Sequence, residues 1–177
     1  MLSVTVAGVA FANTRAVWTD NVTVLNNTIT TGTVDLKVDA QDNGTWSTSS
    51  EASSMVLSNL VPGNSATGAY SFSLLNDSTG ITTMNLVAQI TSSLIAPTAG
   101  VDKTQLMIRL YDYNTGTPES AEASLSTWEA GTQALTSSLA TSASRRYEIR
   151  ARLLGTALNE WQGQTVTFTL SVTGSQP

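Results

Sequence analysis

Hydrophobic residues in this chain recur at every second position over long stretches. The clearest case is residues 165–173, where Thr or Ser alternates with Val166, Phe168, Leu170 and Val172. A period of two places successive side chains on opposite faces of a β-strand. We therefore expect a strand here with one face on a core and the other in water.

The same alternation returns in five further segments separated by turn-forming Asn, Asp, Gly and Pro residues. The expected inward residues are Val34, Leu36 and Val38; Tyr70, Phe72 and Leu74; Met84, Leu86, Ala88 and Ile90; Leu106, Ile108 and Leu110; and Tyr147, Ile149, Ala151 and Leu153. Only residues 119–140 depart from the pattern. The sequence predicts an all-β fold, a jelly-roll-like antiparallel β-sandwich with a short helical or irregular insertion.

Hydroxyl residues take the place of charged ones in the composition. There are 28 threonines and 22 serines, while charged residues make up 12% of the 177 positions. Threonine favours strands because branching at Cβ restricts its χ1 angle. The formal net charge is −5 and only two lysines are present. Nucleic-acid binding needs a basic footprint, so we expect no nucleic-acid partner and no attraction to anionic membranes.

Histidine and cysteine are both absent from the sequence. This removes the usual general base near neutral pH, the commonest zinc ligand, and Ser-His-Asp or Cys-His catalysis. The remaining enzyme routes need paired carboxylates, as in a hydrolase, or a lysine with a lowered pKa, and neither arrangement stands out. We expect no enzyme, no catalytic residue, no metal site and no cofactor.

The first twelve residues are the most apolar stretch and carry no charge. One interpretation is the core of a secretory signal peptide, with Ala10-Phe11-Ala12 as an A-x-A cleavage site, although no basic region precedes it. The other interpretation is a strand with a phase shift at Gly8, with Leu2, Val4, Val6, Val9 and Phe11 as its apolar residues. Such a strand pairs either within its own sheet or with a neighbouring subunit. We divide the chain into residues 1–12, the candidate donor strand, and residues 13–177, a single sandwich domain.

Three segments resemble the TasA/camelysin family. They are WTD at residues 18–20 followed by NTITTGTVDLKV at 27–38, LVPGNS at 60–65, and EWQGQT at 160–165. The resemblance brackets nearly the whole chain in the right order. It departs from the family pattern at Asn64, and the region that follows Gly116, ahead of the EWQGQT segment, has no counterpart. The metalloprotease activity associated with the name camelysin has no support in a chain without histidine.

The resemblance implies an extracellular filament subunit with a jelly-roll core, related to biofilm-matrix fibres and archaeal bundling pili. It places the donor strand at residues 2–11 and the joint to the body near residues 13–18. The expected partner is a second copy of the chain, bound head to tail, with surface glycans as a further candidate partner. The expected role is cell–cell adhesion or biofilm matrix, without a membrane span in the mature form. The alternative is a monomeric secreted β-sandwich adhesin or carbohydrate-binding module.

Four sequons offer glycosylation sites, at Asn21, Asn26, Asn43 and Asn76. Residues 39–44 contain oxygen ligands that suit calcium but lack EF-hand spacing, and a hairpin turn is the favoured interpretation. The four tryptophans are expected in the core or at an interface rather than on a sugar platform. Arg145, Arg146, Arg150 and Arg152 predict a positive stripe on the outer face of one strand.

Overall fold

The computed structural model describes residues 19–23, 35–40, 42–48, 55–58, 60–63, 67–79, 83–97 and 100–177. Within these ranges the chain forms two antiparallel β-sheets and one short α-helix. The predicted all-β, sandwich-like fold with a short helical insertion is therefore confirmed. The predicted donor strand, with Leu2, Val4, Val6, Val9 and Phe11, lies outside the described residues.

The first sheet is built around the C-terminal strand. Its strands are β1 (Thr19–Thr23), β3 (Met55–Leu57), β5 (Thr83–Ala96), β8 (Gln133–Ala134), β9 (Leu139–Ala140) and β11 (Thr165–Ser175). The order is β1–β11–β5–β8, with β3 also beside β11 and β9 also beside β5. Strand β11 pairs with β5 along its whole length.

The second sheet consists of β2 (Leu36–Asp39), β4 (Thr67–Asn76), β6 (Leu106–Asp112), β7 (Ala123–Ser124) and β10 (Ser144–Leu153). Its strand order is β2–β4–β10–β6–β7. Strand β10 is central, because it pairs with β4 on one side and with β6 on the other.

The predicted period of two is visible in the burial of the strands. In β6, Leu106, Ile108 and Leu110 are buried, and the residues between them are half-buried. In β11, Val166, Phe168, Leu170 and Val172 are at most 2% exposed. These faces meet in one hydrophobic core between the two sheets.

The insertion contains the helix α1 (Leu125–Ala130) between β7 and β8. Ser124 caps its N-terminus by accepting a hydrogen bond from the backbone N–H of Thr127 at 3.2 Å. Leu125 and Trp128 are completely buried, and Trp128 Nε1 donates to the carbonyl of Ile108 at 3.1 Å. The helix packs against β5 and β6, so it closes one side of the sandwich.

Candidate functional site

The edges of the two sheets are where a strand from another chain could add, because an unpaired strand edge has free backbone hydrogen-bonding groups. Strand β5 pairs on its second edge with β9 at Thr83 and Met84 and with β8 at Val87 and Ala88. From residue 89 to residue 96 that edge has no strand beside it in the described part of the chain. We call these eight residues the open β5 edge.

A groove of about 290 Å³ lies beside the open β5 edge. It is lined by Ser93, Leu94, Ile95, Gly100, Val101 and Lys103. Leu94 is 65% exposed, whereas Ile95 and Val101 are buried. The edge therefore combines unpaired backbone with an exposed large apolar side chain, which is the surface that strand addition covers.

A polar cluster forms one end of this groove. Lys103 Nζ contacts both carboxylate oxygens of Glu129, at 2.8 and 3.0 Å, and Ser93 Oγ lies 2.5 Å from Oε1 of the same carboxylate. Gln89 Nε2 donates to the carbonyl of Glu129 at 3.2 Å. The contacts of Ser93 and Gln89 fasten the end of α1 to β5, and those of Lys103 fasten it to the turn before β6, which is a structural role.

The edge of β4 also lacks a neighbouring strand, over a shorter length. Strand β4 pairs with β2 only at residues 73–76, so residues 67–72 have no strand on that side among the described residues. The hydroxyl of Tyr70 donates to the carbonyl of Ala40 at 2.9 Å across this side. The open β5 edge is longer and has the groove, so it is the stronger acceptor candidate.

The chain enters the described body at one end of β11. Thr19 pairs with Ser175, and Thr23 pairs with Ser171. On the opposite edge of β11, Gln89 and Ala96 of the open β5 edge pair with Ser171 and Thr165. At about 3.3 Å per residue, Ser175 and Thr165 lie roughly 33 Å apart along the strand. The entry point and the far end of the acceptor candidate thus lie at opposite ends of the sheet.

A buried polar network lies away from these edges and had no signal in the sequence. Glu119 is 2% exposed, and its carboxylate accepts hydrogen bonds from Ser137 N at 3.0 Å, Ser137 Oγ at 2.9 Å and Arg145 Nη1 at 3.1 Å. Asp112 accepts from the backbone N–H groups of Asn114 and Thr115. The contacts hold the insertion against the start of β10, so we assign the network to stability.

The four sequons fall in different settings. Asn43 is exposed in a hairpin turn, whereas Asn76 is completely buried, with Nδ2 donating to the carbonyl of Leu139 at 3.0 Å and Oδ1 accepting from Ser78 N at 3.2 Å. The folded chain has no room for a glycan on Asn76, which corrects the expectation for that site. Asn21 lies in β1, whose side chains fall outside the description, and Asn26 lies outside the described residues.

The other residues that the sequence suggested as binding sites have structural roles wherever the structure describes them. Asp39 accepts from the backbone N–H groups of Asn43 and Gly44, which is the hairpin turn favoured over a calcium loop. No group of three or more acidic side chains that would suit a metal ion occurs within the described ranges. Trp128 and Trp161 are completely buried, as predicted for core residues.

The predicted arginine stripe needs one correction. Arg146, Arg150 and Arg152 lie on the outer face of β10, alternating with its buried residues. Arg145 lies on the opposite face of β10, where it contacts Glu119 and Asp112. The outer face therefore gains an arginine from the neighbouring strand, Arg109, rather than from position 145.

Among the described residues, no helix is both long and apolar enough to cross a membrane. Comparison of the chain with models of protein families, with curated proteins and with solved structures finds no match.

Proposed function

We propose that this chain is a structural subunit of an extracellular filament that polymerises head to tail by donor-strand complementation. Residues 2–11 of one subunit would pair with an open strand edge of the next. The filament would serve cell–cell adhesion or a biofilm matrix. The open β5 edge is the observation that carries the proposal.

An open edge of this length, next to an apolar groove, is energetically unfavourable when it is exposed to water. Each unpaired backbone N–H and C=O group along it favours a partner strand, and the exposed Leu94 side chain adds an apolar contact. Natural sheets usually protect such edges with charge, proline or a covering element. Within residues 89–96 the sequence has no charged residue, and the contacts of Glu129 in α1 with this edge are to the side chains of Gln89 and Ser93.

The donor segment has the composition to fill such an edge. Its five apolar side chains, at about 1.5–3 kcal/mol each when buried, give on the order of ten kcal/mol before the cost of association. The resemblance of residues 18–38, 60–65 and 160–165 to the TasA/camelysin family supports the same function.

The position of the chain entry favours a polymer over a closed dimer. The donor segment precedes Thr19, which pairs with Ser175 at one end of β11, whereas the open β5 edge extends to Ala96, which pairs with Thr165 at the other end. A donor and an acceptor at different places on the subunit make a heterologous, head-to-tail contact. Contacts of this kind continue as fibres when the rotation does not close.

Deletion of residues 1–12 tests the requirement for the donor. We expect a folded monomer that forms no fibres by electron microscopy and sedimentation. A matched pair of substitutions, Val4→Asp and Thr5→Asp, changes charge equally on opposite faces of the proposed strand. Val4→Asp should abolish fibres and Thr5→Asp should largely spare them. Fibres of normal length from the deletion variant would refute the proposal.

Disulfide trapping locates the acceptor, because the natural chain has no cysteine. Chains with Thr5→Cys are mixed with chains with Ser92→Cys, on the open β5 edge, or with Ser71→Cys, on β4. We expect oxidised dimers with the Ser92→Cys chain. Dimers only with Ser71→Cys would move the acceptor to β4, and dimers with neither would contradict both edges.

Mass spectrometry of the mature N-terminus separates this proposal from the alternative of a monomeric adhesin or carbohydrate-binding module. Cleavage after Ala12 would remove the donor and leave the alternative.

A further inference from the structure

Charged residues are distributed unevenly between the two sheets. In the second sheet there are two on β2, two on β6 and five on β10. In the first sheet, β3, β5, β8, β9 and β11 contain none. Strand β1 adds Asp20, and the side chains of β1 fall outside the description. The side chains that these five strands present on the outer face of the first sheet are therefore all uncharged.

Hydroxyl and apolar side chains occupy the paired outer positions of β5 and β11. They are Thr165, Thr167 and Thr169 on β11, and Ala96, Leu94 and Ser92 opposite them on β5. A protein surface that meets only water commonly carries charged side chains at about 25–35% of its positions. The core of a protein–protein interface, by contrast, is depleted of charge. The outer face of the first sheet has the composition of an interface.

Two exposed aliphatic side chains lie on either side of Thr167. Thr167 pairs with Val56 of β3 on one edge of β11 and with Leu94 of β5 on the other. Val56 is 54% exposed and Leu94 is 65% exposed. Since side chains at directly paired positions point to the same face of a sheet, these three residues form a row across three strands. The row gives the uncharged face an apolar contact surface.

We infer that the outer face of the first sheet packs against the same face of a second copy of this chain, about a two-fold axis that runs along β11. This axis places Val56 of each copy against Leu94 of the other, and Thr167 against Thr167. Sheets packed face to face lie about 10 Å apart and bury the side chains between them. A donor strand would add in the plane of the sheet, at the edge of β5, so this inference does not depend on the filament proposal.

The size of the face suits a weak but specific contact. The length of β11, at about 3.3 Å per residue, and the width of three strands, about 4.8 Å apart, give an area of roughly 500 Å². Two copies would therefore bury on the order of 1,000 Å² in total, which is near the lower limit for a specific interface. We expect single subunits to associate transiently through this face, so a covalent trap is the suitable measurement.

The chemistry of the face favours a second copy over a sugar or a charged partner. Phe168 is the only aromatic residue of β5 and β11, and it is 2% exposed on the inner face, so the outer positions of these strands offer no ring for a sugar to stack on. Lys103 and Glu129, at the edge of β5, form a salt bridge with each other. The net charge of the chain is −5, and a contact between uncharged faces keeps the repulsion between two copies small.

Single cysteines test the inference, because the natural chain has none. Thr167→Cys and Val61→Cys are each placed in the full-length Val4→Asp chain, which the filament proposal expects not to polymerise. Packing about β11 holds the two thiols of the Thr167→Cys chains close together, so oxidation should trap their dimers about tenfold faster than those of the Val61→Cys chains. Val61 is 51% exposed and Thr167 is half-buried, so accessibility alone would give the opposite order.

A matched pair of lysines then tests the apolar row. Val56→Lys, added to the Thr167→Cys chain, places a charge against Leu94 of the second copy and should slow trapping about tenfold. Val61→Lys adds the same charge at a valine of similar exposure, beside Pro62, which bridges to Leu153 at the end of β10. It should leave the trapping rate within about twofold, because a distant exposed charge is screened.

Equal trapping of the two cysteine chains would overturn the inference, and so would equal effects of the two lysines. Chains that both stay monomeric would also overturn it, which is the result expected if a polysaccharide or an unrelated protein covers this face. Electron microscopy of the same samples reports on filaments separately. Fibres of the Val4→Asp chain would count against the donor strand and not against the contact between faces.

Discussion

Arg145 donates from Nη1 to Oε1 of Glu119 at 3.1 Å, and so joins the start of β10 to a loop 26 residues earlier in the chain. The Glu119 side chain is 3% exposed and that of Arg145 is 29% exposed. The carboxylate depends on this contact, because a buried charge without its partner is strongly unfavourable.

We predict that Arg145→Gln lowers the free energy of unfolding by about 2–3 kcal/mol. The loss is smaller than the 3–5 kcal/mol for completely buried pairs because Arg145 is partly exposed and Glu119 keeps its bonds to Ser137. Urea unfolding measures the change. Arg152→Gln, which breaks an exposed pair with Glu122, is the control and should cost less than about 1 kcal/mol. Equal losses in the two variants would contradict the assignment.

Stability should fall in acid partly through Asp112. Burial raises the pKa of this carboxyl, but the N–H groups of Thr115 and Asn114 and the charge of Arg145 outweigh it, so the pKa lies below its ordinary value of 3.8. A pKa that is lower in the folded state means that protonation favours unfolding. The contribution is complete above the unfolded-state value and is lost as pH falls through the folded-state value.

Thermal unfolding of the natural chain and of Asp112→Asn between pH 2 and pH 7 checks this prediction. The variant should be less stable at pH 7, and the difference should shrink below about pH 4. A difference that is constant across this range would exclude Asp112 as a source of the acid sensitivity.

Gly174 lies in β11 where the neighbouring strand leaves no room for a side chain. A Cβ atom there would lie 2.0 Å from Sδ and 2.7 Å from Cγ of Met84. We predict that Gly174→Ala destabilises the fold by about 1–3 kcal/mol through overpacking. Met84→Ala alone should cost about 2–5 kcal/mol by leaving a cavity. The double variant should be more stable than the sum of the two losses implies, and strict additivity in urea unfolding would disprove the contact.

The sequence predicted the long strands because their burial depends on local alternation. The alternate residues from Val166 to Val172 and from Leu106 to Leu110 face the core, as the period of two requires. Strands β8 and β9 have two residues each, too few to show a period, and are held by pairing with β5.

Contacts between distant segments could not be predicted in the same way. The partner of Glu119 is set by the packing of the insertion on β10. Asn76 was assigned as a sequon from its local sequence, although its burial depends on Leu139, 63 residues away. The direction of the Arg145 side chain, by contrast, could have been predicted from the local sequence. Four arginines close in sequence suggested one stripe, but the alternation that fixed Tyr147 and Ile149 as inward also turns Arg145 inward.

The open β5 edge gives a last prediction that separates assembly from folding. Leu94→Lys places a charge at a side chain that is 65% exposed, so the free energy of unfolding should change by less than about 0.5 kcal/mol. If a donor strand pairs with this edge, the lysine opposes its docking, as charged residues do on natural edge strands. Fibre formation, followed by light scattering and electron microscopy, should then be strongly reduced. Leu158→Lys is the matched control, because Leu158 is 61% exposed and belongs to the segment between β10 and β11, outside residues 89–96. Fibres that form normally in Leu94→Lys, or fail equally in both variants, would show that the open β5 edge is not the acceptor.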